Sequence, residues 1–358
     1  MLKKIVLVIP TFSGGGMERV MSELANYFLN KGYQVHIFFL VKHVPFYKID
    51  KQITCHFPKR DYGEPGELRL MYWFYILIWL RKGIKGVGAD TVFSIPQDYS
   101  NLTILALLGT GIPVFISDRN SPNMPIPIIK KNLRKLLYPL ASGVILQTST
   151  AKKLMLRKGI YNKNIKIIPN PLKIIQNYPK SDSKKKIILN IGRLVNEKNQ
   201  LELIRIFAKI NNSDWNLYIA GDGPLKNQLQ SEISVLGMDD SIKLLGSVKN
   251  VDKLMGQVDI FAFTSIYEGF PNSLNEAMAY PLPCISYNCI AGPSDLIKNN
   301  VNGFLVEPGD FNDYVTKLKL LMENEKLRIR LRQEAAKNRE LFSIENIGNQ
   351  YLNFILGK

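Results

Sequence analysis

The 358-residue sequence predicts an α/β protein built from two doubly wound, Rossmann-like domains facing a central cleft. Three observations carry this expectation. At roughly 100–200 residues per domain, the length suits two separate cores. The first forty residues alternate strand, glycine-rich turn, helix and strand, and after a polar, lysine-rich stretch the same alternation begins again at Lys186. A βαβ unit joins parallel strands, and a parallel sheet offers the loops at its carboxyl edge to ligands.

The elements follow in order. Lys4–Pro10 reads as a strand, Ser13–Gly16 as a turn, Met17–Asn30 as an amphipathic helix and Gln34–Leu40 as a second strand. Apolar segments at Thr91–Ile95, Val114–Ile116 and Val144–Gln147 extend the sheet, and the first domain closes near Ile165–Ile168. Pro169-Asn-Pro171 and the lysine-rich Tyr178–Lys186 read as a linker. Strands are then expected at Lys186–Ile191, Leu217–Ala220, Lys243–Leu245, Asp259–Phe263, Cys284–Tyr287 and Gly303–Val306. The amphipathic segment Ile344–Leu356 is expected to be a terminal helix returning to the first domain. This makes one domain of residues 1–168 with 344–358, and another of 169–343.

With 46% hydrophobic and 22% charged residues, the chain reads as folded rather than disordered. Its formal net charge is +17, and the excess is lopsided: residues 1–165 hold 23 Lys/Arg against 9 Asp/Glu, the remainder 24 against 21. Such a field points to a polyanion, either nucleic acid or an anionic membrane surface. No helix-turn-helix, zinc-finger or aromatic RNA-binding signature is present, so nucleic acid is not the expected partner.

Cys55, Cys284 and Cys289 are too few and too irregularly spaced for a disulfide framework or a four-ligand zinc site, which makes a reducing compartment the default. The short apolar stretch Ile5–Pro10 runs straight into the glycine turn and reads as a strand rather than a signal peptide. The longest apolar run, Leu70–Leu80, falls below the ~20 residues of a spanning helix. Flanked by Arg69 and Lys85, it is either an interfacial helix or, being apolar on all sides, a core helix. Lys130-Lys131, Arg134-Lys135, Lys152-Lys153 and Arg157-Lys158 add basic pairs at helical spacing. Together these features predict attachment to an anionic leaflet.

Several constellations carry chemistry. Gly14, Gly15 and Gly16 lie between a strand and a helix, where bare backbone and a helix N-terminus can approach a phosphate, although a plain tight turn explains them equally well. The turn matches neither a Gly-x-Gly-x-x-Gly fingerprint nor a P-loop. Arg193 and Lys198 follow the strand Lys186–Ile191. A planar fork and a mobile point charge suit a diphosphate; two solvated loop cations are the plainer explanation.

Glu268 stands in a Tyr-Glu-Gly-Phe-Pro loop at the carboxyl end of a buried strand, where a carboxylate can accept hydrogen bonds from sugar hydroxyls. Ser273-Leu-Asn-Glu276 matches a helix-capping box, which is the structural alternative for Glu276. The same geometry aims the backbone N–H groups of Asn272, Ser273 and Leu274 outward as an anion site. Two carboxylates also raise the possibility of a glycoside hydrolase, but that would leave Arg193 and Lys198 without a purpose.

Gly14-Gly15 with Glu18-Arg19, Gly192-Arg193 to Lys198, Gly221-Asp-Gly-Pro224, Glu268-Gly-Phe-Pro271 to Glu276 and Asn302-Gly-Phe-Leu-Val306 occur in that order. In this order and spacing they resemble glycosyltransferase family 4, the retaining, sugar-nucleotide-dependent enzymes of the GT-B fold, over essentially the whole chain. The resemblance implies that Arg193 and Lys198 bind the donor diphosphate and neutralise the leaving group, with no metal and no cofactor beyond the donor itself. It implies that Glu276 holds the ribose hydroxyls, that Glu268 contacts the donor sugar near the reacting carbon, and that Gly15 and Gly16 close on the phosphates from the other domain.

Where many members carry a first-domain histidine, this chain has Phe115-Ile-Ser-Asp-Arg-Asn-Ser-Pro122, with Arg119 in that place. Asp118, Arg119 and Asn120 are the corresponding acceptor candidates, while His36, His43 and His56 do not align with the position. The expected partners are a nucleotide diphosphate sugar, a UDP-sugar above all, a lipid-linked saccharide acceptor and the anionic cytoplasmic face of the inner membrane. The expected activity is retaining transfer of a hexose or N-acetylhexosamine in bacterial surface polysaccharide assembly. A non-catalytic sugar-binding relative is disfavoured because the phosphate-contacting and glutamate positions are all filled.

Overall fold

Parallel strands alternate with helices along the chain in a computed structural model that describes residues 2–12, 15–59, 68–119, 125–172 and 186–357. Two units form: Met1–Pro171 with Ile344–Lys358, and Leu172–Ser343. Asn120, Gly14 and nearly all of Tyr178–Lys186 lie outside the described residues.

Unit 1 contains strands β1 (Lys4–Ile9), β2 (Gln34–Phe39), β3 (Thr54–His56), β4 (Thr91–Ser94), β5 (Val114–Asp118), β6 (Gly143–Leu146) and β7 (Ile165–Ile167). They form one parallel sheet in the order β3-β2-β1-β4-β5-β6-β7. Its helices are α1 (Gly16–Asn30), α2 (Leu68–Val87), α3 (Gln97–Leu107), α4 (Ile128–Leu137) and α5 (Ser149–Arg157). A sheet covered on both faces needs apolar residues on both, and β1 supplies them alternately. Ile5, Leu7 and Ile9 face α1, while Val6 and Val8 face the layer of α2 to α5.

Unit 2 contains β8 (Lys186–Ile191), β9 (Trp215–Ala220), β10 (Ile242–Gly246), β11 (Ile260–Phe263), β12 (Cys284–Tyr287) and β13 (Phe304–Val306), parallel in the order β10-β9-β8-β11-β12-β13. Its helices are α6 (Gln200–Ile210), α7 (Lys226–Val235), α8 (Val251–Gly256), α9 (Asn272–Ala279), α10 (Pro293–Leu296), α11 (Phe311–Glu323), α12 (Glu325–Ala335) and α13 (Asn338–Leu341). Leu203, Phe207, Ile233 and Leu318 pack on one sheet face, and Met255, Leu274, Met278 and Leu296 on the other.

The last helix, α14 (Ile344–Leu356), completes unit 1 beside α1. Ile347, Tyr351, Leu352 and Ile355 enter the α1 core, the Tyr27 hydroxyl donates to Asn349 Oδ1 at 2.9 Å, and Thr91 Oγ1 donates to the Ile355 carbonyl at 2.9 Å. Arg119 adds a polar tie. Buried just past β5, its guanidinium donates to Ser117 Oγ at 3.2 Å, Asn170 Oδ1 at 2.7 Å and the Tyr351 hydroxyl at 2.7 Å. Burial lowers its pKa from the ordinary value, and hydrogen bonds to a buried cation are what make that burial tolerable.

Two edge strands escaped the sequence pattern. β3 and β7 have three residues each and pair on one side only. Thr54-Cys-His56 carries no apolar alternation, so its pairing comes from the neighbouring strand rather than from its own composition. That pairing brings His36 Nδ1 within 3.1 Å of His56 Nε2, with Phe38 stacked on His56 at 4.2 Å between ring centroids. The apolar run Leu70–Leu80 lies within α2, and the core reading holds for one side of it. Tyr72, Ile76, Leu80 and Ile84 are core, whereas Met71, Phe74 and Ile78 face outward. No described helix is long and apolar enough to cross a membrane.

Replacing Arg119 by Ala should cost about 2–4 kcal/mol of stability, because Asn170 and Tyr351 lose a buried donor; denaturant unfolding measures it. A loss of ligand binding with unchanged stability would instead indicate a ligand-contacting role. Acid should also weaken unit 1. Burial lowers the pKa of both His36 and His56, so the fold favours the neutral rings. The unfolded chain therefore binds more protons, and stability present above pH ~6.5 falls as pH drops through that value. Thermal midpoints between pH 7.5 and about 5.5 should fall, and less so in His56→Phe.

Candidate active site

The sheet of unit 2 sets the position of the site. Chain connections run outward from β8 to β9 and β10 on one side, and from β11 to β12 and β13 on the other. β8 and β11 are neighbours whose following loops diverge, and a crevice opens at their carboxyl ends, the place where doubly wound sheets bind ligands. Asn190, buried near the end of β8, donates to the Ala262 carbonyl of β11 at 2.8 Å and pins the two strands where they part.

The loop after β8 carries Arg193 and Lys198, and the loop after β11 carries Glu268. Seventy residues apart in sequence, Lys198 Nζ and Glu268 Oε1 are 2.6 Å apart, with both side chains mostly buried. The ammonium also lies 5.8 Å from the Phe263 ring centroid. Two hydrogen bonds lock the two loops together: Thr264 Oγ1 donates to the Lys198 carbonyl at 3.1 Å, and the Ile266 N–H donates to the Glu197 carbonyl at 2.9 Å. Just beyond Lys198, Asn199 is left-handed (φ 53°), a conformation Asn tolerates better than most residues. Its amide meets Glu202, whose Oε1 accepts from the Tyr287 hydroxyl at 2.7 Å.

The Gly-Asp-Gly-Pro segment braces the Arg193 loop from behind. Gly221 has φ 144°, and a Cβ there would lie 1.9 Å from the Gly192 carbonyl oxygen. With glycine in place, Gly192 N–H donates to the Ala220 carbonyl at 3.0 Å and Leu194 N–H to the Asp222 carbonyl at 3.0 Å. Gly292 plays the same part beneath the second loop: at φ 135°, its Cβ would lie 2.2 Å from Pro271 Cδ. The backbone that presents Lys198 and Glu268 is thus fixed by close approaches rather than left to solvent.

Arg193 stays 78% exposed, with Nη2 3.9 Å from Glu197 Oε1, a loose pairing that leaves the fork in water. Helix α9 begins at Asn272 with Pro271 at its N-cap. Ser273 therefore lies inside the first turn rather than at the cap, and its hydroxyl donates to the Ile191 carbonyl at the end of β8, 3.1 Å away. The capping-box explanation of Glu276 fails on this register; Glu276 sits farther along α9, half-buried. The amides of Asn272, Ser273 and Leu274 belong to the helix's first turn, where N–H groups have no intrahelical partner. The Asn272 N–H donates to the Phe270 carbonyl at 3.0 Å.

Unit 1 holds the remaining candidates. Gly15 caps α1, and its N–H donates to Glu18 Oε2 at 2.8 Å, while Thr11 Oγ1 donates to Glu18 Oε1 at 2.8 Å. Gly16 opens the helix. A side-chain carboxylate thus already lies against this N-terminus. Asp118 ends β5, with Oδ2 3.6 Å from Arg134 Nη1 and 3.5 Å from the Tyr138 hydroxyl. Arg119 turns inward, its donors committed to Ser117, Asn170 and Tyr351.

The sequence did not single out Asn199, Glu202, Thr264 or Tyr287, which support the loops without a motif of their own, nor Cys289. The pKa of the buried Cys289 thiol is pushed up to about 12, mainly by burial and further by the Glu268 carboxylate. Among the described residues, no group of three or more His, Cys, Asp or Glu side chains converges to hold a metal ion.

Comparison with known proteins gives this geometry a family. Residues 14–174 match the model of Glycosyltransferase Family 4, and residues 173–338 that of Glycosyl transferases group 1. The chain is 28% identical over 359 residues to the GalNAc-alpha-(1->4)-GalNAc-alpha-(1->3)-diNAcBac-PP-undecaprenol alpha-1,4-N-acetyl-D-galactosaminyltransferase of Campylobacter jejuni, covering 99% of this chain and 98% of that protein. It is 32% identical to a lipopolysaccharide 1,6-galactosyltransferase of Salmonella typhimurium over 50% of this chain and 52% of the relative. Among solved structures, Anabaena HepE in complex with UDP and glucose superimposes with a TM-score of 0.80 at 19% identity, covering 99% of this chain and all of the other. With both family domains in sequence and two parallel α/β units of the GT-B kind, the chain belongs to the family 4, group 1 glycosyltransferases and is a sugar-transferring enzyme.

Proposed function

We propose that the protein transfers a hexose or N-acetylhexosamine, with retention, from a UDP-sugar to a lipid-linked saccharide acceptor at an anionic membrane surface. The observation that carries this reading is the Lys198–Glu268 pair at the strand switch of unit 2. Burying an ion pair contributes little stability by itself, because desolvation offsets the Coulombic gain. A pair built into two braced loops at the ligand edge of the sheet is better explained by a substrate that both groups will touch.

In this mechanism the donor diphosphate meets the Lys198 ammonium and the solvated Arg193 fork. As the bond from the anomeric carbon to the diphosphate oxygen breaks, the electron pair leaves with the diphosphate, and these two cations neutralise it. The acceptor hydroxyl oxygen forms the new bond on the face the leaving group vacates, and its proton passes to the departing diphosphate. Glu268, released from Lys198 when the diphosphate arrives, accepts hydrogen bonds from the donor sugar near the reacting carbon. Glu276 holds the ribose hydroxyls, and the first-turn amides of α9 add positive potential beside the phosphates. The charge at the leaving group comes from side chains, so the reaction needs no metal. The C. jejuni relative, named for an undecaprenol-diphosphate-linked substrate, and the lipopolysaccharide galactosyltransferase of S. typhimurium support the acceptor class.

A panel of sugar nucleotides incubated with the purified protein tests the donor: hydrolysis or transfer should occur with UDP-sugars in the presence of chelator. Turnover restricted to another nucleotide, or dependent on added divalent ions, would overturn that part of the reading. Glu268→Gln should lose at least roughly 100-fold in kcat, the scale seen when one transition-state contact is removed, while circular dichroism stays that of the parent and the unfolding midpoint drops only as far as the lost counter-charge of Lys198 requires. Activity near the parental rate would remove Glu268 from the reaction.

A further inference from the structure

Lysine has a long, flexible side chain, and the residues just after Lys198 show how this one is given a fixed base. Residues Asn196–Lys198 form a 3-10 turn, and helix α6 starts at Gln200. Asn199, between them, closes the turn and opens the helix at φ 53°, ψ 38°. A left-handed residue other than glycine carries a steric cost and reverts unless its surroundings hold it. With Asn199 right-handed, the turn and α6 would merge into one helix, and Lys198 would rotate with it. Farther out, the Lys198 stem passes close over Gly192, where an added Cβ would lie 3.3 Å from Lys198 Cδ.

Glu202, in the first turn of α6, supplies the hold. Its Oε2 accepts from the Asn199 side-chain amide, and its Oε1 from the Tyr287 hydroxyl at 2.7 Å. Tyr287 ends β12, fully buried, with its ring edge-on to Tyr314 at 4.9 Å between centroids. Burial, and then the Glu202 carboxylate, raise the pKa of Tyr287, so its hydroxyl stays the donor in this bond. The Tyr314 hydroxyl accepts from the Phe263 N–H at 3.1 Å, at the end of β11 where the Glu268 segment departs. The turn that bears Lys198 is thereby tied to the sheet beneath the strand switch. An acid in the first turn of a helix is ordinarily explained by the helix dipole. That accounts for a carboxylate at this position, but not for its two oxygens being engaged by a residue outside the helix and by another 85 positions away.

We propose that Glu202 is a positioning residue for the transfer reaction: by joining Asn199 to Tyr287, it holds the Lys198 turn in the conformation that meets the donor diphosphate. A cation oriented before its ligand arrives needs no reorganisation when charge develops on the leaving group. The proposal deepens the donor-site reading, on which it rests for the task of Lys198; the tether itself rests on its hydrogen bonds.

Two measurements on the full chain test it. Hydrogen exchange without ligand reads the turn directly, through the Lys198 and Asn199 amides, which donate to the Val195 and Asn196 carbonyls at 3.0 and 3.1 Å. In Glu202→Ala these amides should exchange at least roughly tenfold faster. Glu202→Gln should restore the parental rate, since the Asn199 amide can turn over and accept from the new amide while Tyr287 keeps its acceptor. Calorimetric titration with UDP reads the consequence. Glu202→Ala should raise Kd at least roughly tenfold in the parent but less than about twofold in a Lys198→Met background, because the two changes act through one group. An equal penalty in both backgrounds, or parental UDP affinity in Glu202→Ala, would overturn the proposal and leave Glu202 as a helix-dipole acid. Parental exchange in Glu202→Ala would overturn it whatever UDP does. A parent protein that does not bind UDP would count instead against the donor reading, with exchange still deciding whether Glu202 holds the turn.

Discussion

A parallel sheet whose strand order reverses at its middle leaves an unfilled notch, because the chain after each central strand must depart to a different side. In unit 2 that constraint falls between β8 and β11, and the chemistry follows from it. Asn190 holds the strands together to the point of divergence, Thr264 and Ile266 tie one loop to the other, and Gly221 and Gly292 permit the approaches that stiffen both. Lys198 and Glu268 meet because the topology leaves their segments adjacent, Lys198 closing a short 3-10 turn after β8 and Glu268 standing in the loop after β11. The 2.6 Å pair is therefore a readout of sheet order.

Unit 1 reverses its strand order in the same way between β1 and β4, yet its equipment differs. Glu18 reaches back over the entrance of α1 and satisfies Gly15, while Arg119 folds into the interior toward α14. Part of the cation excess of this half of the sequence, Lys82, Lys85, Lys130 and Lys135, instead stands exposed on helices α2 and α4. Two units of one architecture thus direct charge in opposite ways, one inward to a loop crevice, the other outward to a surface.

Much of this was legible in the sequence for a physical reason. Strands buried on both faces must be continuously apolar, so Lys186–Ile191 or Cys284–Tyr287 stand out without any partner being known. The three-residue strands β3 and β7 do not, since an edge strand borrows its order from one neighbour. The fate of Arg119 was equally hidden: its acceptor Tyr351 lies 232 positions away, and a lone arginine after a strand reads as a ligand contact until that ring is in view. The site residues were flagged through motif order, but the pairing of Lys198 with Glu268 was not, as no local pattern encodes a contact across seventy residues. Ser273 shows the limit of a local rule, since Ser-x-x-Glu fits a cap in sequence while the cap lies two residues earlier, at Pro271, and the hydroxyl serves β8. Helix α2 shows another: uniform apolarity conceals which side faces the core, and only the packing reveals that half of it was left outside.

The placement of α14 bears on how the protein is made. A ribosome releases residues 2–171 long before it reaches Ile344, and in that interval the groove along α1 lacks Tyr351, Leu352 and Ile355. The Arg119 guanidinium likewise waits without one of its acceptors. Unit 2, an uninterrupted stretch of chain, can condense first. Unit 1 can be completed only once the chain of unit 2 has been made, because α14 follows that unit in sequence.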